Sequence, residues 1–155
     1  MITRRGFLAG LMLVATTGAP RAAETSAQDF LAAIYATYKG KDAKGIPLTD
    51  RGVPARYFTP ALARMIEADA RAAAKRGEVG NLDGDPFIDG QDFDISAVAI
   101  DVKDVAPNKA LGTVKLTNFG KETAILLDLA KLKDGWRIDD IRMPSGSLRA
   151  VFKKK

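Results

Sequence analysis

Between residues 95 and 143 the chain carries four apolar-patterned stretches joined by connections of only a few residues, and nothing else in the sequence restricts its fold as strongly. The stretches are 95–102, 110–117, 123–132 and 135–143. Val98, Ile100 and Val102 share one face of the first, and Val114 and Leu116 one face of the second. The third is almost continuously apolar, which predicts a central strand buried on both faces. The fourth holds Trp136, Ile138, Ile141 and Met143, and its alternation slips at Asp139-Asp140, which predicts a β-bulge. Turn residues separate them: Asp104 to Asn108, Asn118 to Lys121, and Lys133 to Gly135. Strands joined this tightly run antiparallel.

Two helices are predicted ahead of the strands. Ser26 can cap the first, with Asp29 in its opening turn. Phe30, Leu31, Ile34, Tyr35 and Tyr38 then recur every three or four residues, marking a helix over 27–39 that Gly40 ends. Residues 40–56 lack a period and read as a loop. Thr59-Pro60 opens the second helix, a capping hydroxyl followed by proline at the first helical position. It runs to Gly77, with Lys75 and Arg76 at the negative end of its dipole. Residues 77–94 are turn-rich and acidic. Helices followed by an antiparallel meander give an α+β fold, N-terminal helices packed on one face of a curved antiparallel sheet of about four strands.

The first 23 residues read as an address. A basic start (Arg4, Arg5), a short apolar run and a small-residue end have the layout of a secretory signal. Thr3-Arg4-Arg5-Gly6-Phe7-Leu8 resembles the twin-arginine export signal of bacteria, and Arg21 late in the segment fits the same route. The apolar run is too short to span a bilayer, which needs about 20 apolar residues. Cleavage is expected near Glu24, leaving one domain over 24–155, periplasmic and not membrane-anchored.

Without the signal the charge is nearly balanced, 21 basic residues against 19 acidic ones. A nucleic-acid partner therefore has little support, and the terminal Lys153-Lys154-Lys155 reads as a solvated tail. The chain has no cysteine, so disulfides, iron–sulfur clusters and thiolate zinc sites are excluded. It has no histidine, which removes the usual general base and the usual metal ligand. No cofactor is expected. Rapid folding, not cofactor loading, is then the reason for export in folded form.

Several segments resemble one family. The order helix–loop–helix, acidic loop and long strands ending in Trp136-Arg137-Ile138-Asp139-Asp140-Ile141 looks like the cone-shaped fold of the nuclear transport factor 2-like superfamily. Leu82-Asp83-Gly84-Asp85-Pro86-Phe87 with Gly90-Gln91-Asp92 is similar to a signature of small exported proteobacterial proteins of unknown function. Tyr57-Phe58-Thr59-Pro60-Ala61-Leu62 and the late Ser147-Leu148 match the same group. The resemblance implies the cone fold and no particular activity, since the superfamily holds isomerases, dehydratases, immunity proteins and non-catalytic binding modules.

The acidic loop offers Asp83, Asp85, Asp89, Asp92 and Asp94, but their spacing does not fit a calcium-binding loop: Phe87 and Ser96 stand where ligands are required. Asp and Gly are there as turn formers, and no metal is expected. The candidate ligand- or partner-binding residues are Asp85, Gln91, Asp92, Trp136, Asp140 and Tyr38. A carboxylate among them, in an apolar pocket, could serve acid–base chemistry without histidine. Alternatively, Asp85 and Asp92 cap turns, and Asp140 faces solvent beside Arg142. The aromatic residues Phe30, Tyr35, Tyr38, Tyr57, Phe58, Phe87 and Trp136 line a cavity or, at this spacing, form the core. The expected role is a non-catalytic exported domain binding a small ligand or a protein, with no catalytic residue assigned. A hydro-lyase or isomerase using a pocket aspartate and an immunity protein against a toxin are the alternatives.

Overall fold

Helices in the first half and a hairpin-linked sheet in the second meet through one apolar face each. The computed structural model describes residues 25–153, so the export segment with Arg4 and Arg5 and the tail residues Lys154 and Lys155 lie outside the described residues. The elements are α1 (Ala27–Ala36), α2 (Val53–Tyr57), α3 (Pro60–Arg76), β1 (Ile95–Ala106), β2 (Lys109–Asn118), β3 (Lys121–Leu132), β4 (Gly135–Met143), β5 (Gly146–Ser147) and α4 (Leu148–Val151). The fold is α+β, with one antiparallel sheet in the order β1-β2-β3-β4-β5. The fifth strand, two residues long and paired through Arg142↔Ser147, adds to the expected four.

Helix α1 begins as its sequence dictates: the Ser26 hydroxyl accepts from Asp29 N at 3.0 Å. Regular helix stops at Ala36, short of residue 39. The next turn tightens to i→i−3 bonds, Tyr38 N to Tyr35 O at 3.2 Å and Lys39 N to Ala36 O at 3.3 Å. Leu31, Ile34 and Tyr35 face the sheet, where a Cβ at Gly112 would overlap Leu31 Cδ1. Helix α2 corrects the reading of 40–56 as loop. Five residues are too short to show a helical period, but Gly52 in the left-handed region and Pro54 in the first turn start it.

At the head of α3, Thr59 does not cap with its side chain. Its hydroxyl instead donates to Asp139 Oδ1 at 2.9 Å, and its N–H to Ile138 O at 2.9 Å. The β-bulge lies where the sequence slips: Asp128 pairs with Asp140 and Leu129 with Ile138, leaving Asp139 extra. The bulge aims Asp139 at Thr59 and Arg149, whose guanidinium reaches Asp139 Oδ1 at 2.6 Å.

Strand β3 is not buried on both faces. Ile125, Leu127 and Leu129 are buried, while Leu126 and Asp128 between them are half-exposed. All the described helices that cover the sheet pack on one face, and the other carries pairs such as Arg142–Asp128 at 2.7 Å. A nearly continuous apolar run therefore fills a one-sided strand. The core joins Leu31, Ile34, Tyr35 and Tyr38 to Phe58, Leu62, Phe87, Val114, Leu127, Ile138 and Ile141.

Candidate functional site

The Asp-rich segment is a chain of turns anchored at both ends. Asp69 on α3 holds its start, accepting from Asn81 Nδ2 and from Leu82 N. Asn118 holds its end, donating to Asp92 O at 3.2 Å and accepting from Asp94 N at 2.8 Å. Between them Asp85 and Gly90 form a bridge, Asp85 N donating to Gly90 O at 2.7 Å. Pro86 fixes the backbone after Asp85, and Asp89 takes a positive φ of 52°, a conformation Asp tolerates better than most residues.

Asp85 is the centre of this loop. Its Oδ1 accepts from Phe87 N at 2.9 Å, the aspartate turn in which a side chain bonds its own backbone two residues on. Its Oδ2 accepts from Tyr38 Oη at 2.5 Å. That same hydroxyl oxygen accepts from Ile46 N at 3.2 Å, tying a third segment to the pair. Tyr35 Oη donates to Phe87 O at 2.9 Å. Two tyrosines, Tyr35 in the last turn of α1 and Tyr38 in the tighter turn that follows it, thus hold both sides of the Asp85–Phe87 unit. Phe87 has no exposed surface, and its ring lies 5.9 Å from Phe58, 6.1 Å from Tyr38 and, edge-on, 6.2 Å from Tyr35. Tyr38 also meets Phe93 edge-on at 5.2 Å. Each such ring pair is worth about 0.5–1.5 kcal/mol beyond its buried area.

Burial pushes the Asp85 carboxyl above its ordinary value of 3.8, while the bonds from Tyr38 and Phe87 pull it partly back. Burial, reinforced by the Asp85 charge, pushes the hydroxyls of Tyr35 and Tyr38 upward. A raised carboxyl is what acid–base chemistry needs. Here, however, both oxygens are engaged, and Tyr38 is only 1% exposed. A cleft of about 390 Å³ beside the Tyr38 ring is lined by Gly40, Lys41, Ala43 and Phe93 to Ile95, without Asp85.

The other candidate residues are not gathered around this pair. Gln91 is exposed and donates to Asp83 Oδ1 at 2.9 Å, a side-chain contact inside the loop. The Asp92 side chain is exposed, and the segment is held there through its backbone carbonyl. Asp140 does not stand in solvent beside Arg142, which pairs with Asp128 instead. It accepts from Ser147 Oγ at 2.6 Å and Arg149 N at 3.0 Å, and so secures the start of α4. Trp136 is half-buried at the far end of the strands. Lys131 Nζ lies 5.9 Å from the centre of its ring, beside a cleft of about 500 Å³ under the Pro107-Asn108 turn. Of the aromatic set, Tyr35, Tyr38, Phe58 and Phe87 are core, while Phe30, Tyr57 and Trp136 pack half-buried against it.

Two contributors escape sequence reading. Asp89 accepts from Ser145 N at 3.2 Å and from its hydroxyl, joining the loop to the β4–β5 turn. Ile46 supplies the N–H behind Tyr38 from a segment with no pattern of its own. Among the described residues, no group of three or more acidic side chains converges as a metal site would require.

No protein-family model and no curated protein matches the chain. Among solved structures it is similar to a phospholipid-binding protein from Ralstonia solanacearum, determined in complex with a phospholipid, at 16% identity and a TM-score of 0.37. That alignment covers 70% of this chain and 56% of the other, so the chain spans little more than half the length of that protein.

Proposed function

We propose that this chain is a bacterial export precursor whose mature part is a periplasmic, nuclear transport factor 2-like cone that acts by binding a small ligand or a protein, not by catalysis. The observation that supports this most is the occupancy of the interior. Where a cone-fold enzyme would open a pocket, Tyr35, Tyr38, Phe58 and Phe87 interlock, each at most 1% exposed. The one carboxylate placed among them, Asp85, spends both oxygens on Tyr38 and Phe87. A hydro-lyase or isomerase would need that carboxyl free to meet substrate, and an immunity protein acting through an open cone would need the same interior empty. Recognition then falls to the periphery, such as the sheet face opposite the helices.

The export half of the proposal rests on Thr3-Arg4-Arg5-Gly6-Phe7-Leu8 and on a chain without cysteine, able to fold before it crosses. No described helix is long and apolar enough to cross a membrane. Changing Arg4 and Arg5 together to Lys is expected to leave uncleaved precursor in the cytoplasm, whereas the unaltered chain appears in the periplasmic fraction with its N-terminus near Glu24. Periplasmic, processed double variant in normal amounts would show that the twin-arginine machinery is not its partner.

A further inference from the structure

Among the described residues, strand β1 lies at one edge of the sheet and pairs only with β2. Its open side can be assigned from the hydrogen bonding. Lys131 N donates to Asn108 O, so Asn108 faces β3. Backbone groups alternate sides along a strand, so Leu111 and Thr113 face β1. Their partners Lys103 and Asp101 therefore face β2, and Val98, Ile100, Val102 and Asp104 turn their N–H and C=O groups to the open edge. The carbonyl of Ile100 confirms the direction: it is reached from α1 by Gln28 Nε2 at 3.1 Å.

A long open edge is a template for another strand unless its side chains forbid pairing. The charges on this one are selective. Asp101 and Lys103 are exposed, lie on the face away from the helices, and have no ion-pair partner among the described residues. Consider β1 meeting a second β1 antiparallel, about a two-fold axis. With the axis at Asp101 or at Lys103, like charges stand opposite each other. With the axis at Ile100, both charges face Ala99 and Ala97. With the axis at Val102, each Asp101 stands opposite the Lys103 of the other copy, twice. These are non-hydrogen-bonded positions, where facing side chains come closest. The same register pairs the open backbone groups of Val102 with themselves and those of Ile100 with Asp104, and Val105, 61% exposed, lies at the end of the paired segment.

We propose that β1 pairs with β1 of a second copy about a two-fold axis at Val102, extending the sheet across a homodimer and displacing Gln28 from Ile100. Sedimentation equilibrium on the protein as isolated from expressing cells is the test, with circular dichroism confirming that each variant is folded. The unaltered protein is expected to dimerise reversibly. Asp101→Lys and Lys103→Asp each place like charges opposite and are expected to weaken the dimer by about tenfold or more. The double exchange Asp101→Lys with Lys103→Asp restores both pairs and is expected to restore the dimer. Val102→Pro removes one edge N–H, which an edge strand tolerates, and is expected to give a folded monomer. A monomer at all concentrations, a dimer indifferent to the single reversals, or a double exchange no better than either single change would each overturn the proposal.

Discussion

Phe87→Ala is expected to destabilise the fold by about 3–5 kcal/mol, the cost of truncating a fully buried aromatic residue. Phe87 has 0% exposure and touches three rings from two separate segments: Tyr35 and Tyr38 at the end of α1, and Phe58 at the entry to α3. Removing it opens a cavity that those rings cannot easily fill, since Tyr35 and Tyr38 are each pinned by a hydroxyl bond to the loop. Urea unfolding followed by fluorescence and circular dichroism measures the loss. A change below about 1 kcal/mol would mean that the loop is not packed as described.

Tyr38→Phe is expected to cost about 2–4 kcal/mol at neutral pH, because one hydroxyl serves two partners. Its removal leaves Asp85 Oδ2 without a donor and Ile46 N without an acceptor, each worth about 1–3 kcal/mol when buried and unpaired. The cost depends on pH in a definite direction. The folded carboxyl of Asp85 lies above its ordinary 3.8, so the folded state holds that proton more tightly than the unfolded chain. Its contribution is complete below 3.8 and is lost as the pH rises through the raised folded value. The bond from Tyr38 lowers that folded value, so the Phe variant raises it further, and its deficit against the unaltered protein grows from acid toward neutral pH. Paired urea titrations across this range check the sign, and a deficit that shrinks with rising pH would contradict it.

What the sequence disclosed and what it hid follow from the range of the interactions. The slip at Asp139-Asp140 is a local break in alternation, and the bulge is there. The Ser26 cap and the meander are equally local, and both are present. Continuous apolarity in β3 reported composition alone; whether Leu126 is covered depends on which side the helices pack, and they pack on the other. Helix α2 has too few residues for a period. Tyr38 and Asp85 were both legible as candidates, one from helical spacing and one from the loop signature. Their bond joins positions 47 residues apart, which no pattern in one chain reveals. Thr59 has a capping hydroxyl, but it donates to a carboxylate 80 residues on. Gln91 and Asp92 carried the same loop signature as Asp85 yet lie on its exposed side, the first bonding Asp83 within the loop and the second holding the loop through its backbone.

Our proposal that Asp85 serves the fold and not a ligand is open to test by the unfolding free energy of Asp85→Asn at neutral pH. Asparagine keeps the shape and can still accept from Phe87 N, but it turns a second donor toward Tyr38 Oη and strands the tyrosine proton in a buried site. Relief from burying a charge offsets part of this loss. The Asn variant is expected to be less stable by at least about 1 kcal/mol, beside an Asp92→Asn control within about 0.5 kcal/mol of the unaltered protein. An Asp85→Asn protein as stable as the original, or more stable, would mean that the carboxylate is kept at the expense of the fold, as a binding or catalytic group is, and would contradict the proposal.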